Sequence, residues 1–211
     1  MNRRLLWLAI FAVAMAYVES AVVVYLRELY YPGGFSFPIV IIPDKLALIE
    51  VGREAATIVM LAGLAILAGA GGWQRFLLFC VAFGIWDIFY YIWLRVFLGW
   101  PPSLLTWDIL FLIPLPWIGP VLAPVIISVL LGGSALWLLR QQDKGAALRF
   151  TPGQWALAIA GGIAVLAAFM LDHRVAFEGA EPPPFRWGLF GAGIAAAMTA
   201  LVMGARRLQE P

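Results

Sequence analysis

Long apolar runs broken by short polar loops dominate this chain, and the length of the runs decides its class. A helix crossing the ~30 Å hydrocarbon core of a bilayer needs about 20 mostly apolar residues. Six stretches meet that requirement: Leu5–Leu26, Leu46–Ala70, Phe76–Leu98, Ile118–Leu139, Gln154–Leu171 and Phe185–Ala205. The pattern predicts an all-α, polytopic integral membrane protein. Arg3-Arg4, an apolar run and Ala14-Met15-Ala16 imitate a secretory signal. The run continues through Val22-Val23-Val24-Tyr25-Leu26, however, and reads as a retained first span.

Between the third and fourth spans the pattern changes. Gly99-Trp100-Pro101-Pro102 stops the third helix, because proline has no amide donor and the residue before it avoids the α region. Leu104–Ile113 is too short to span, and Pro114, Pro116, Pro120 and Pro124 follow. This predicts a short half-helix in the outer leaflet, then a turn, then a kinked full span. Asp108 near the start of that segment would cap its N-terminus or face a cavity. Irregular backbone at membrane depth requires cover from protein or a water-filled cavity.

Composition sharpens the class. The 211 residues are 64% hydrophobic and 12% charged, and mean hydropathy is +0.93. A soluble domain is nearer half apolar and a quarter charged, so both a soluble globule and a disordered chain are excluded. One cysteine, Cys80, rules out an internal disulfide and a Cys-based zinc or iron–sulfur site. One histidine, His173, is too few for bis-His haem ligation or a His-rich zinc site. A net charge of +2 argues against a nucleic-acid partner. No cofactor is expected on these grounds. A divalent cation on clustered carboxylates remains chemically sensible, since Ca²⁺, Mg²⁺ and Mn²⁺ take oxygen ligands.

Orientation follows from the Lys/Arg bias of the short loops. With the N-terminus inside, Arg3, Arg4, Arg75, Arg140, Lys144, Arg149, Arg206 and Arg207 are cytoplasmic, 8 of the 14 basic residues. Both termini are then cytoplasmic and the expected location is a bacterial inner membrane. The acids are more lopsided: Asp143 and Glu210 alone lie inside, and the other ten of 12 belong to the outer half of the membrane or the outer loops.

The helices divide at the basic loop Arg140–Arg149. Residues 150–206 form a charge-poor hairpin whose spans carry Ala156, Ala160, Ala164 and Ala168 on one side and Gly188, Ala192, Ala196, Ala200 and Gly204 on the other. Small residues four apart share a face and let membrane helices approach closely, so a scaffold hairpin is expected, with a membrane-protein partner as the other use of such faces.

Residues 1–140 carry the charge. Counting 1.5 Å per residue, Glu19 lies ~9 Å, Glu54 ~12 Å and Asp87 ~14 Å below the outer edge of the hydrocarbon core. Glu50, Arg53, Glu54 and Thr57 fall on one helical stripe, and Asp87, Tyr90 and Tyr91 on another. An ionised side chain at a helix centre costs about 2.5–3.5 kcal/mol on insertion scales, so these groups must be paired, protonated or open to water. Arg27, Arg53 and Arg95 are available partners for Glu19, for Glu50 or Glu54, and for Asp87. Acids outnumber bases, which points to a ligand or proton pathway. Trp86 and Trp93 share a face turned away from Asp87 and suit lipid or helix contact. Trp100 and Trp107 beside the acidic mouth are the tryptophans placed to meet a cationic ligand.

No Gly-rich phosphate loop, HExxH, GxSxG or CxxC occurs. His173, flanked by Asp172 and Arg174, reads as a solvated loop histidine, which leaves a Ser–His hydrolase (Ser103 being the serine on the correct side) poorly supported. Three functions stay open. The first is a solute-binding membrane protein that takes a small polar or cationic solute for transport. Its architecture resembles the substrate-binding component of energy-coupling-factor uptake systems, with six helices, an outer-facing site and Ala12-xxx-Ala16 on the first helix. The second is a membrane enzyme acting on a lipid-linked or periplasmic substrate, with Asp87 and Glu54 or Glu19 as an acid–base pair of separated pKa values. The third is an accessory subunit of a larger membrane complex.

Overall fold

The structure is a computed structural model that describes residues 2–40, 42–145, 150–178 and 180–206. Arg149, Arg207 and Glu210, used in the charge argument, lie outside the described residues. The elements are α1 (Asn2–Tyr30), α2 (Asp44–Ala68), α3 (Gly72–Leu98), β1 (Trp107–Phe111), β2 (Trp117–Pro120), α4 (Leu122–Asp143), α5 (Pro152–Met170), α6 (Val175–Glu178) and α7 (Trp187–Arg206). All but α6 among the helices are long and apolar enough to cross a membrane, six in total.

Helix α3 is the centre. More than half of its most apolar window is buried, 56%, against 22–33% for the other five. It packs on α1, α2 and α4. Leu8, Ala12 and Ala16 of α1 meet Leu77, Leu78, Val81 and Ala82 of α3 and Leu138 and Leu139 of α4 in one core. The α3–α4 crossing is close because Gly84 has no side chain: a Cβ there would stand 2.7 Å from the Ser128 carbonyl. Helix α3 ends at Gly99, whose φ of +64° is the left-handed value that closes helices and that other residues avoid. Helix α5 begins on a reciprocal cap, with Thr151 and Gln154 each satisfying the other's backbone amide and Pro152 in the first turn.

The half-helix expected over Leu104–Ile113 does not form. That stretch contains a strand, β1, which pairs antiparallel with β2 in the register Asp108 with Gly119 and Ile109 with Ile118, with an irregularity before Phe111. The physical reason lies in the prolines and in the residue types. Pro114 and Pro116 reverse the chain, and Trp107, Ile109, Phe111, Trp117 and Ile118 are strand formers. A helix this short would leave most of its terminal amides and carbonyls unpaired. A hairpin pairs them across the turn. Asp108 is consequently inside a strand and caps nothing.

Helices α5 and α7 pack tightly on each other, through a face that shares Ala168, Ala196, Ala200 and Gly204 with the expected stripes but is centred on two glycines outside them. Gly161 and Gly193 mark the crossing: a Cβ on Gly161 would stand 2.6 Å from the Gly193 carbonyl, and one on Gly193 2.7 Å from the Gly161 carbonyl. Val165, Ala168, Ala200 and Gly204 continue the buried side, whereas Ala156, Ala160, Gly188 and Ala192 are exposed. Glycine, having no Cβ, permits the nearest approach and therefore sets the rotation. The hairpin joins the rest of the chain at one end, where Phe169 and Phe190 pack with Ala123, Trp117 and Phe185, and again at the other, where Trp155 stacks on Trp73 and Leu201 packs against the core of α1, α3 and α4. Gly119 makes room for this contact, since a Cβ there would lie 2.9 Å from Phe169.

Candidate functional site

At the end of the bundle that holds the β-hairpin, α1, α2, α3, β1 and the loop after α1 enclose a cavity of about 360 Å³. Its walls include Phe35, Trp86, Tyr90 and Phe111, and six carboxylates reach it: Glu19, Asp44, Glu50, Glu54, Asp87 and Asp108. Two guanidiniums, Arg27 and Arg53, accompany them. Glu50, Arg53 and Glu54 come from the predicted polar stripe of α2 and Asp87 from that of α3, whereas Asp108 is supplied by β1. On α2 the buried positions run Glu50, Glu54, Thr57, Leu61, Ala65, so a charged face passes into an apolar one as the helix leaves the cavity.

Two ion-pair groups divide the site. In the first, Arg53 pairs with both Glu19 and Glu50, at 2.8 Å to Glu50. Thr57 donates its hydroxyl to Glu19 as well. This cluster ties α1 to α2 across the cavity wall. In the second, Arg27 Nη2 donates to Asp108 Oδ1 at 3.0 Å, both residues being buried. The Arg27 guanidinium lies 3.7 Å from the Trp100 ring centroid and 4.4 Å from that of Phe35. These two rings, perpendicular to one another, attract the cation and shield it from water.

Glu54 and Asp87 make no ion pair among the described residues. Glu54 accepts the backbone amide of Leu112 at 2.8 Å, holding the hairpin against α2. Asp87 accepts the Ser128 hydroxyl at 2.8 Å, next to the Gly84 crossing. The expected partnership of Asp87 with Arg95 is therefore not formed. Arg95 is exposed and donates to the carbonyls of Gly99 and Pro101, at 2.9 Å to Pro101, closing the end of α3. Two turns of helix carry it past the cavity, where a long side chain finds carbonyls and water more cheaply than a buried acid.

Other sequence expectations are redistributed. Trp100 is buried against Arg27 and Tyr91, and so serves an internal cation in place of a ligand. Trp107 packs on Phe37 and Phe185, outside the cavity lining. Trp86, expected at lipid or helix contacts, packs in the core shared by the first four helices and in addition lines the cavity, stacked near Tyr90. Trp93 does make a helix contact, donating to the Val13 carbonyl at 3.2 Å. Tyr90 and Tyr91 both line the site, with Tyr91 more deeply buried.

Sequence reasoning missed Asp44, Tyr31, Phe35, Phe111 and Ser128. Tyr31 accepts the Val40 amide at 2.7 Å and so pins the loop that roofs the cavity. Burial pushes its phenol pKa up, against the Val40 amide and Arg27, which pull it down. At the same end of the molecule His173 contacts the Met170 carbonyl, and Arg186 holds Asp172 through two 2.8 Å bonds. Among the described residues no three His, Cys, Asp or Glu side chains converge to hold a metal ion.

Fold and site together define the class: six helices long and apolar enough to cross a membrane, with a charged cavity at one end of the bundle. No family model, curated protein or solved structure matches the chain. Of the features behind the resemblance to energy-coupling-factor components, the structure shows the six long apolar helices.

Proposed function

We propose that this protein binds a small cationic solute in the cavity and serves its transport across a bacterial inner membrane. One observation carries the reading: six carboxylates face two guanidiniums on a single aromatic-walled cavity, and both guanidiniums are already engaged by Glu19, Glu50 and Asp108. Asp44, Glu54 and Asp87 make no ion pair among the described residues and are left to meet a cation. The cavity volume lies in the range of small-molecule sites, and aromatic rings around a cation add attraction to the carboxylates. Glu54 and Asp87 have hydrogen-bond donors but no countercharge, and ionisable groups inside a membrane protein mark ligand or ion pathways by default.

The test is thermal unfolding of the detergent-purified protein with a panel of primary and quaternary amines, set against carboxylates of matching size. A cation at 100 times its Kd stabilises by about 2.7 kcal/mol, which appears as a clear rise in Tm. Glu54→Gln and Asp87→Asn preserve shape and remove charge, and each is expected to keep the fold and lose most of that rise. Stabilisation by the carboxylates, or an undiminished amine response in both variants, defeats the proposal.

The Lys/Arg distribution turns the cavity toward the outer side and both termini toward the cytoplasm. Reporter fusions at Met1 and Pro211 are expected to be active in cytoplasmic form only. A periplasmic signal at either end breaks the orientation argument.

A further inference from the structure

A second concavity lies away from the charged site. It is a groove of about 330 Å³ between α3 and α4 on one side and α5 and α7 on the other. Its walls are apolar almost throughout, with Leu131, Leu138, Val165 and Leu201 among them and Ser134 and Gln154 as the polar exceptions. It lies between the two places where the hairpin meets the rest of the chain, the cluster around Phe169 at the cavity end and the Trp73–Trp155 stack at the opposite end.

We propose that this groove holds one acyl chain of an anionic phospholipid from the leaflet opposite the cavity. Three observations favour that occupant. The first is length. On α5 the lining runs from Gln154 to Val165, and on α4 from Ile127 to Leu138. At 1.5 Å per residue these spans are ~15 Å, half the hydrocarbon core and hence one leaflet. The second is the rim. Trp73, Phe150 and Trp155 form an aromatic cluster where the groove reaches the helix ends, with Trp73 and Trp155 stacked 5.7 Å apart, and such rings occupy the headgroup level. The third is charge. Arg75, Arg140 and Lys144 are exposed at that same end, with Asp143 as the neighbouring acid. A basic rim beside an apolar slot suits a lipid phosphate with an anionic head group. Small residues of the kind that let a partner helix approach, Ala135, Ala158, Gly162, Ala197 and Ala200, also line the groove, so a helix is the competing occupant that the test excludes.

Gly162 supplies the test. It lines the groove, and a Cβ there meets nothing within 4 Å, so a larger side chain would fill the slot without colliding with the fold. The full chain is reconstituted in vesicles of equal phosphatidylglycerol and phosphatidylcholine, extracted in mild detergent and examined by native mass spectrometry. The expected result is one retained phospholipid per chain, enriched in phosphatidylglycerol. Gly162→Leu should lose it while unfolding at the wild-type temperature. Arg140→Gln and Lys144→Gln should keep a lipid and lose the preference, by roughly fivefold for each charge removed. Ala158→Leu, on the same wall, stands in if the first variant fails to fold. Lipid retention unchanged in a folded, groove-filled variant overturns the proposal. So does a dimer or a bound protein that disappears when the groove is filled, because the occupant is then a helix.

Discussion

Arg27→Met is expected to destabilise the protein by about 3–5 kcal/mol, because it leaves a buried carboxylate without its countercharge. Asp108 is 2% exposed and Arg27 7%, so water cannot take the place of the lost partner. The guanidinium also fills the space between Trp100 and Phe35, and its removal loosens the loop that roofs the cavity. The double change Arg27→Met with Asp108→Leu is expected to recover much of the loss, since replacing a whole buried pair by apolar groups of similar volume is often neutral. Equilibrium unfolding of the single and double variants forms the cycle that checks this. A double variant as unstable as the sum of its parts would show that the two residues contribute independently.

Gly161→Leu is expected to be comparably damaging by a different route. Its Cβ would begin 2.6 Å from the Gly193 carbonyl and 2.8 Å from the Ala197 amide, atoms of backbone that cannot rotate away. Overpacking of this kind costs typically 1–3 kcal/mol and more where backbone must shift, and here α5 and α7 must separate along their whole contact. Ala160→Leu, one residue earlier and exposed, is the matched control. It is expected to leave the unfolding temperature within a degree or so of wild type, as surface changes do. Equal losses from the two substitutions would place the α5–α7 contact elsewhere.

The contrast between Ala160 and Gly161 shows how far a linear pattern reaches. Small residues every fourth position announce that two helices approach closely. They do not say which of several overlapping stripes is used, because the choice depends on where the partner's backbone passes. The same limit applies to Arg95 and Asp87. Their spacing places them on nearby faces, but a side chain several atoms long settles on the strongest local acceptors, here the carbonyls that end α3. Asp87 meets Ser128 on α4 instead, a partner 41 residues away that no spacing rule could nominate. The Leu104–Ile113 segment failed for a related reason. Its strand becomes favourable through pairing with Trp117–Pro120 beyond a proline turn, a non-local contact invisible to local hydropathy.

What the sequence by itself determined was the set of six long apolar helices and the grouping of charges on particular helix faces. Hydropathy over about 20 residues measures transfer into hydrocarbon directly, so the long apolar helices were legible. Helical periodicity then placed Glu50, Arg53, Glu54 and Thr57 on one face, because 3.6 residues per turn is a property of the backbone alone. Only the tertiary structure decided which charges neutralise one another: Arg53 with Glu19 and Glu50, Arg27 with Asp108, and neither with Asp87. It also decided that Trp100 faces inward and Trp86 faces the cavity. Pairing energies fall steeply with distance and depend on burial, and both are set by the rotation and tilt of neighbouring helices. Those two quantities come from side-chain packing between segments far apart in the chain, which no single segment encodes.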